Sequence, residues 1–246
     1  MNSLKGHVAF VTGGTSGIGE ATARAFAKAG AKVAVAGRKE DIGSQIVKEI
    51  NEAGGQAIFV ELDVTESEKI KNAVKKTVKE LGPIDILFNS AGIHDAYDTV
   101  LDADEESFSN LMNINVNGVF LVTKEILPIM LENGKGSIIT VGSQGSFVAG
   151  PGGIAYVTSK HALVGFNKQL SYDFGDKGIR ANLLAPGFIE TPMTEGIEDE
   201  RLKDIPAGRA GTAEEIAKVA VFLASDDASY LQGSEITADG GWNIGR

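Results

Sequence analysis

The feature that most constrains this 246-residue chain is Thr12-Gly13-Gly14-Thr15-Ser16-Gly17-Ile18-Gly19, set between an apolar run and a helical pattern. The run at 7–11 (HVAFV) reads as a strand, and the period over 17–29 reads as a helix. Glycines at such a junction let the backbone turn tightly and approach a pyrophosphate held at the helix N-terminus. Their spacing alone also fits an ordinary turn. The place between the first strand and first helix of a βαβ unit makes this a dinucleotide loop.

The alternation continues to the far end. Apolar runs at 32–36, 57–62, 84–88, 137–141, 179–185 and 235–238 read as strands. Helical patterns fill 39–53, 108–131, 156–174 and 212–224, with a further helix after Thr65-Glu66-Ser67-Glu68. That tetrad reads as a capping box with Thr65 at the cap, and Gly82-Pro83 stops the helix. The pattern predicts a single α/β domain over residues 1–246. Its architecture is a Rossmann-type doubly wound parallel sheet of about seven strands with helices on both faces.

Composition removes other classes. With no cysteine, disulfides, thiolate catalysis and cysteine-ligated metals are out. His7, His94 and His161 have no ligand spacing, so no metal site is expected. A formal charge of −10 argues against nucleic acid and anionic membrane as partners. No apolar run approaches 18 residues and residues 1–6 lack a signal-peptide core, so the expected location is cytoplasmic. The 31 glycines exceed the roughly 17 of average usage, and many follow predicted strands, where an open sheet keeps its ligand crevice.

The second strand ends Val35-Ala36-Gly37-Arg38. An NAD-selective site places a carboxylate there for the ribose 2′-hydroxyl; Gly37 cannot serve, whereas Arg38 suits a 2′-phosphate. NADP(H) is therefore favoured over NAD(H), and a solvated arginine beside Glu40 and Asp41 is the other reading. Asp63 ends the third strand, where it suits an adenine amino group or a local Asx-turn.

Tyr156 and Lys160 stand at i and i+4 on one helix face. Four tyrosines and 17 lysines in this length give about 0.3 chance matches, so the pair alone is weak. Lys160 is expected to lower the phenol's pKa, letting Tyr156 pass a proton to a carbonyl oxygen. Ser143 follows the fifth strand and suits a hydrogen bond to the same oxygen.

Taken together, TGGTSGIG at 12–19, NSAG at 89–92, Ser143, the YVTSK segment at 156–160 and PGFIETPM at 186–193 resemble the short-chain dehydrogenase/reductase family over essentially the whole chain. The ending PAGRAGTAEEIAKVAVFLASDDASYLQGSEITADGG is similar to 3-oxoacyl-acyl-carrier-protein reductases and related carbonyl reductases. The resemblance implies a nicotinamide cofactor, with Tyr156 as general acid/base, Ser143 polarising the substrate oxygen, Lys160 on the ribose and Asn115 supporting a proton-relay water. It implies that Gly13, Thr15, Ser16, Gly17, Ile18 and Gly19 line the pyrophosphate. Asp63 and Val64 fall beside the adenine, and Asn89, Ala91 and Gly92 on the adenine-ribose side. Pro186, Gly187, Ile189 and Thr191 fall at the nicotinamide carboxamide.

Loop position makes Ile93, His94, Gln144, Phe147, Phe188 and Met193 substrate-pocket candidates, and the resemblance implies a substrate lid over 193–206. Phe147, Phe188 and Met193 serve equally as lid packing. Only Lys135 and Lys177 are basic in the turns taken to flank the mouth, and Glu195, Glu198, Asp199 and Glu200 make the lid acidic. This favours a small carbonyl/alcohol substrate, with 3-oxoacyl-acyl-carrier-protein reduction as the alternative. A non-catalytic nucleotide-binding regulator is the second alternative, disfavoured because all four catalytic positions are filled. The family implies a homotetramer. The row Phe166, Leu170 and Phe174 suits either that pairing or the internal core.

Overall fold

Alternate residues of a strand face opposite sides of its sheet, and the apolar runs of this chain supply both sides at once. The computed structural model describes residues 3–95, 97–197, 202–203 and 205–244. In order come β1 (Val8–Thr12), α1 (Gly17–Lys28), β2 (Lys32–Gly37), α2 (Glu40–Glu52), β3 (Gln56–Glu61), α3 (Ser67–Leu81) and β4 (Ile86–Asn89). After them run α4 (Glu105–Met112), α5 (Gly118–Glu132), β5 (Gly136–Val141), α6 (Ile154–Phe174) and β6 (Ile179–Pro186). Two short strands, β7 (Ile189–Glu190) and β8 (Gly211–Thr212), precede α7 (Ala213–Ala224) and β9 (Glu235–Ala238).

Seven strands form one parallel sheet in the order β3-β2-β1-β4-β5-β6-β9. The winding reverses between β1 and β4, and ligands of open α/β sheets bind beyond the carboxyl ends of the strands at such a switch point. On one face Ala9, Val11, Val33 and Val35 pack with Phe26 of α1, Ile46 of α2 and Leu223 of α7. On the other, Phe10, Ala34, Val60 and Leu87 meet Ile70 of α3, Ile126 of α5 and Leu170 of α6. The helices therefore hold the sheet from both sides.

Phe166 and Phe174 pack into that second cluster with Leu170, so the α6 row faces the internal core. By length and composition Glu105–Glu132 does pass as a membrane span. Here its α5 part lies on the sheet through Val122, Ile126 and Met130. The stretch is one helix with a π-turn at Asn113–Asn117, which divides it into α4 and α5.

Two caps differ in their fidelity to the sequence. Thr212 and Glu215 form a reciprocal capping box at α7, with Thr212 N donating to Glu215 Oε2 at 2.9 Å. Thr65 caps nothing: α3 starts after Glu66 without a side-chain cap, and the Thr65 amide and hydroxyl turn back to Asp63 Oδ1 at 3.0 and 2.7 Å. Asp63 accepts locally, and that contact takes precedence over the box.

Candidate active site

A crevice of about 350 Å³ opens at the carboxyl edge of the sheet. Gly13 (φ +64°) forms part of its floor, where a Cβ would stand 3.0 Å from the Ala91 backbone. Gly17 (φ +50°) faces Thr191 across the cleft. Thr12 Oγ1 accepts from Ser90 N at 3.0 Å and Ala91 N at 3.1 Å, tying the loop after β4 to the glycine loop. Ser16 caps α1 with backbone alone, so its side chain leaves the first-turn N–H groups for a ligand. Thr15, Ser16, Gly17 and Ile18 line the crevice. Gly19 does not: a Cβ there would run into the Gly13 carbonyl, so the third glycine serves the fit of helix against loop. This cradle fits a dinucleotide pyrophosphate.

At the adenosine end stand Arg38, Asp63 and Val64. A side chain at Gly37 would strike Thr15, with Cβ only 2.8 Å from its Cγ2, so a 2′-hydroxyl acceptor has no room there. Arg38 is exposed and forms no salt bridge among the described residues. Partial burial pushes the Asp63 carboxyl up, but the bonds from Thr65 and the charges of Arg38 and Lys69 hold it below the usual range. Asn89 departs from expectation. Its amide is buried and donates to Thr123 Oγ1 of α5 at 3.2 Å, away from the crevice. Ala91 and Gly92 are the wall there.

The reacting groups meet between β5 and α6. Ser143 opens a 3₁₀ turn (Gln144–Ser146), and its Oγ accepts from Gly145 N at 3.1 Å. Its hydroxyl faces the Tyr156 phenol, which is 8 % exposed. Lys160 Nζ lies 5.5 Å from the Tyr156 ring centroid and donates to Val141 O at 3.0 Å. The phenol moves opposite to expectation: burial pushes it up, with only Ser143 pulling down, while Tyr97 and Asp95 push up further. The ammonium pays for burial as well, falling from 10.5 to about 8. Desolvation outweighs the charge that spacing alone had placed beside the ring.

Asn115 sits in the π-turn and does not line the crevice. Its Oδ1 accepts from Ile93 N, and its Nδ2 donates to Ile93 O, both at 2.9 Å. It clamps the loop that follows β4.

Burial of the Lys160 ammonium has a measurable effect. Below pH 8 folded and unfolded chains both carry the proton and the penalty is fully present; from 8 to 10.5 the unfolded chain binds more protons, so stability rises. Lys160→Met should therefore be inactive yet more stable at pH 7, by about 2 kcal/mol once the orphaned Val141 carbonyl is counted. In scanning calorimetry the gap should close towards pH 10.5; a variant that melts lower at every pH would contradict this.

The family model described as enoyl-(acyl carrier protein) reductase matches residues 13–243. A 3-oxoacyl-[acyl-carrier-protein] reductase of Thermotoga maritima is 42 % identical over 245 residues, covering 97 % of this chain and 98 % of that one. The chain belongs to the short-chain dehydrogenase/reductase family. A 2,5-dichloro-2,5-cyclohexadiene-1,4-diol dehydrogenase of Sphingobium indicum is 36 % identical over 249 residues, 99 % of each chain. The crystal structure of a gluconate 5-dehydrogenase from Burkholderia cenocepacia, in complex with NADP and tartrate, superposes with a TM-score of 0.93 at 31 % identity. It covers 100 % of this chain and 99 % of that one.

This short-chain dehydrogenase/reductase fixes its tyrosine helix with His94, which loop position had singled out, and with Asp95 and Tyr97, which sequence reading missed. Asp95 accepts from Gly153 N at 2.6 Å and from Tyr156 N at 2.9 Å, so a carboxylate from the loop after β4 caps α6. His94 stacks on the Tyr156 ring at 4.3 Å, its ring nitrogens against the carbonyls of Asp95 and Pro151. Tyr97 (φ +64°) stands 5.0 Å beyond His94 and lines the crevice. No local pattern marks these residues, because their partners lie some 60 positions away.

Ile93, His94, Gln144, Phe188 and Met193 line the crevice, and so do Pro186, Gly187, Ile189 and Thr191. Phe147 does not; it packs against Val119, Leu163 and Leu183. Of the acidic lid positions, Glu198, Asp199 and Glu200 lie outside the described residues. Lys135 and Lys177 precede β5 and β6, at the amino edge of the sheet opposite the crevice. Lys135 pairs there with Asp85 at 3.1 Å. The turns taken for the mouth are not at the mouth, so their scarcity of cations does not bear on carrier-protein docking.

Proposed function

We propose that this enzyme interconverts a small, free carbonyl compound and its alcohol with NADP(H). The observation that carries the reading is one crevice joining an Arg38 end, without room for a ribose carboxylate, to the paired hydroxyls of Ser143 and Tyr156. Bound at Gly13–Ile18, Arg38 and Gly187–Thr191, the cofactor supplies or accepts the hydride. Ser143 orients the substrate oxygen, Tyr156 gives it or takes from it the proton, and Lys160 holds the ribose side. Asn115 keeps Ile93 and the adjoining wall in place.

A purified-enzyme panel of NADPH and NADH against small ketones and acetoacetyl-carrier protein tests this. Preference for the small ketones supports the reading. A strong preference for the carrier-protein substrate would instead establish the second reading, which the 42 % identity to a 3-oxoacyl-[acyl-carrier-protein] reductase favours. Arg38→Ala should lower kcat/KM for NADPH about 10- to 100-fold and leave NADH within about threefold, since a bidentate phosphate contact is lost. Equal losses with both cofactors would remove Arg38 from phosphate recognition.

We read the working assembly as a cytoplasmic homotetramer. Phe120 of α5 (46 % exposed) and Tyr172 of α6 are apolar surface that the family's helix pairing would cover.

A further inference from the structure

Gln144 is buried, yet its Nε2 has no hydrogen-bond partner among the described residues. Most buried amides are satisfied in folded proteins; Asn89, Asn167 and Asn243 also keep unpaired amide atoms here, but of the four only Gln144 lines the crevice, where a ligand atom can complete it. The Gln144 amide lines the crevice directly after Ser143 and lies over Gly187, where a Cβ would be 2.9 Å from Nε2. Gly187 therefore gives the amide its room.

The rest of the substrate end narrows what can bind. Ile93, Phe188 and Met193 present apolar wall, and the His94 ring nitrogens lie against the Asp95 and Pro151 carbonyls, to one of which a neutral ring donates. Lys160 is the one cation lining this end among the described residues, and its ammonium is turned to the Val141 carbonyl. Beyond the two reacting hydroxyls and the Tyr97 phenol, the described residues give the substrate end one unpaired buried side-chain amide.

We propose that Gln144 is a specificity-determining residue that hydrogen-bonds a second oxygen on the carbon next to the reacting one. The substrate class is then a neutral vicinal pair: a 1,2-diol in oxidation, an α-hydroxy ketone or 1,2-diketone in reduction. The inference rests on the carbonyl/alcohol reading above and narrows it. In oxidation, hydride leaves the carbinol carbon for NADP⁺ and the carbinol proton passes to the Tyr156 phenolate, formed by prior loss of the phenol proton to solvent. The second oxygen keeps its bonds throughout and only accepts from Gln144. Ser143 and Gln144 are consecutive, so the two polar contacts fall within one small ligand. A site built to bond a hydroxyl discriminates strongly against the analogue lacking it.

The test compares 1,2-cyclohexanediol, 1,3-cyclohexanediol, cyclohexanol and gluconate as substrates with NADP⁺, using the wild type, Gln144→Leu and Gln144→Glu. A neighbouring hydroxyl withdraws electrons and slows hydride loss, so intrinsic reactivity works against the expected order. The wild type should favour the 1,2-diol over cyclohexanol by about 100-fold in kcat/KM. Gln144→Leu should bring that ratio near one, whereas Gln144→Glu can still accept from the second hydroxyl and should keep part of it, with NADPH affinity and Tm showing that both fold. Equal wild-type kcat/KM for diol and cyclohexanol, a preference for the 1,3-diol or for gluconate, or a ratio that survives in Gln144→Leu would each overturn the proposal. No turnover with any alcohol or ketone would instead reject the carbonyl/alcohol reading beneath it, and the inference with it.

Discussion

Replacing Tyr156 with Phe is expected to cost about 10³- to 10⁴-fold in kcat while leaving NADPH binding within about twofold. The change deletes one oxygen and its proton from a ring that stays packed against His94 at 4.3 Å. A positioned acid/base contributes about 10²- to 10⁴-fold. The upper part applies because the Lys160 ammonium, which stands beside the ring, donates to Val141 O instead. Fluorescence titration with NADPH and single-turnover rates separate binding from chemistry. Turnover within tenfold of wild type would move the proton to another group.

Asp95→Ala should be the most damaging change outside the reacting groups, lowering stability by about 2 kcal/mol and kcat by roughly 100-fold. Gly153, the N-cap of α6, has no side chain to offer its helix, so the Asp95 carboxylate receives the Gly153 and Tyr156 amides instead. Without it, two N–H groups at the start of the tyrosine helix lose a charged acceptor, and the first turn loosens where the phenol is aimed. Displacement by about 1 Å at a reacting group can cost 10²-fold. Asp95→Asn keeps an acceptor and should fall between wild type and Ala in both Tm and kcat. Wild-type activity in the Ala variant at a temperature where it is fully folded would show that the cap matters for stability alone.

The parallel sheet was legible in the sequence because β-branched runs and helical periods are local signals, and strands β1 to β6 and β9 fall within two residues of their expected bounds. Ser143, Tyr156, Lys160 and the glycine loop were legible through motif and order, and the structure brings them to one crevice. The failures share a cause. Asn89, Gly19 and Phe147 stand close in sequence to crevice residues, but a side chain's direction is set by what it packs against. Thr65 had the pattern of a cap, yet Asp63 two residues earlier was the nearer acceptor. Lys135 and Lys177 were assigned to the wrong edge of the sheet, since a turn's sequence does not say which end of the strand it feeds. Asp95 and Tyr97 left no trace, because a cap supplied across the fold has no spacing rule. The raised phenol was beyond sequence for the same reason: burial is a property of the packed molecule.

The π-turn at Asn113–Asn117 bears on how this chain can change length. It holds one residue more than an α-helical turn would, and that surplus sets Asn115 against Ile93 while α4 and α5 keep their own faces inward. Deleting that surplus residue would let the helix close into regular geometry with α5 turned only slightly, because five residues of π-helix and four of α-helix each sweep a little over one turn. Val122, Ile126 and Met130 would stay on the sheet, whereas the loop that carries Ile93 and Asp95 would lose its clamp. The spare residue therefore serves the wall of the cleft and not the packing of the helix that carries it.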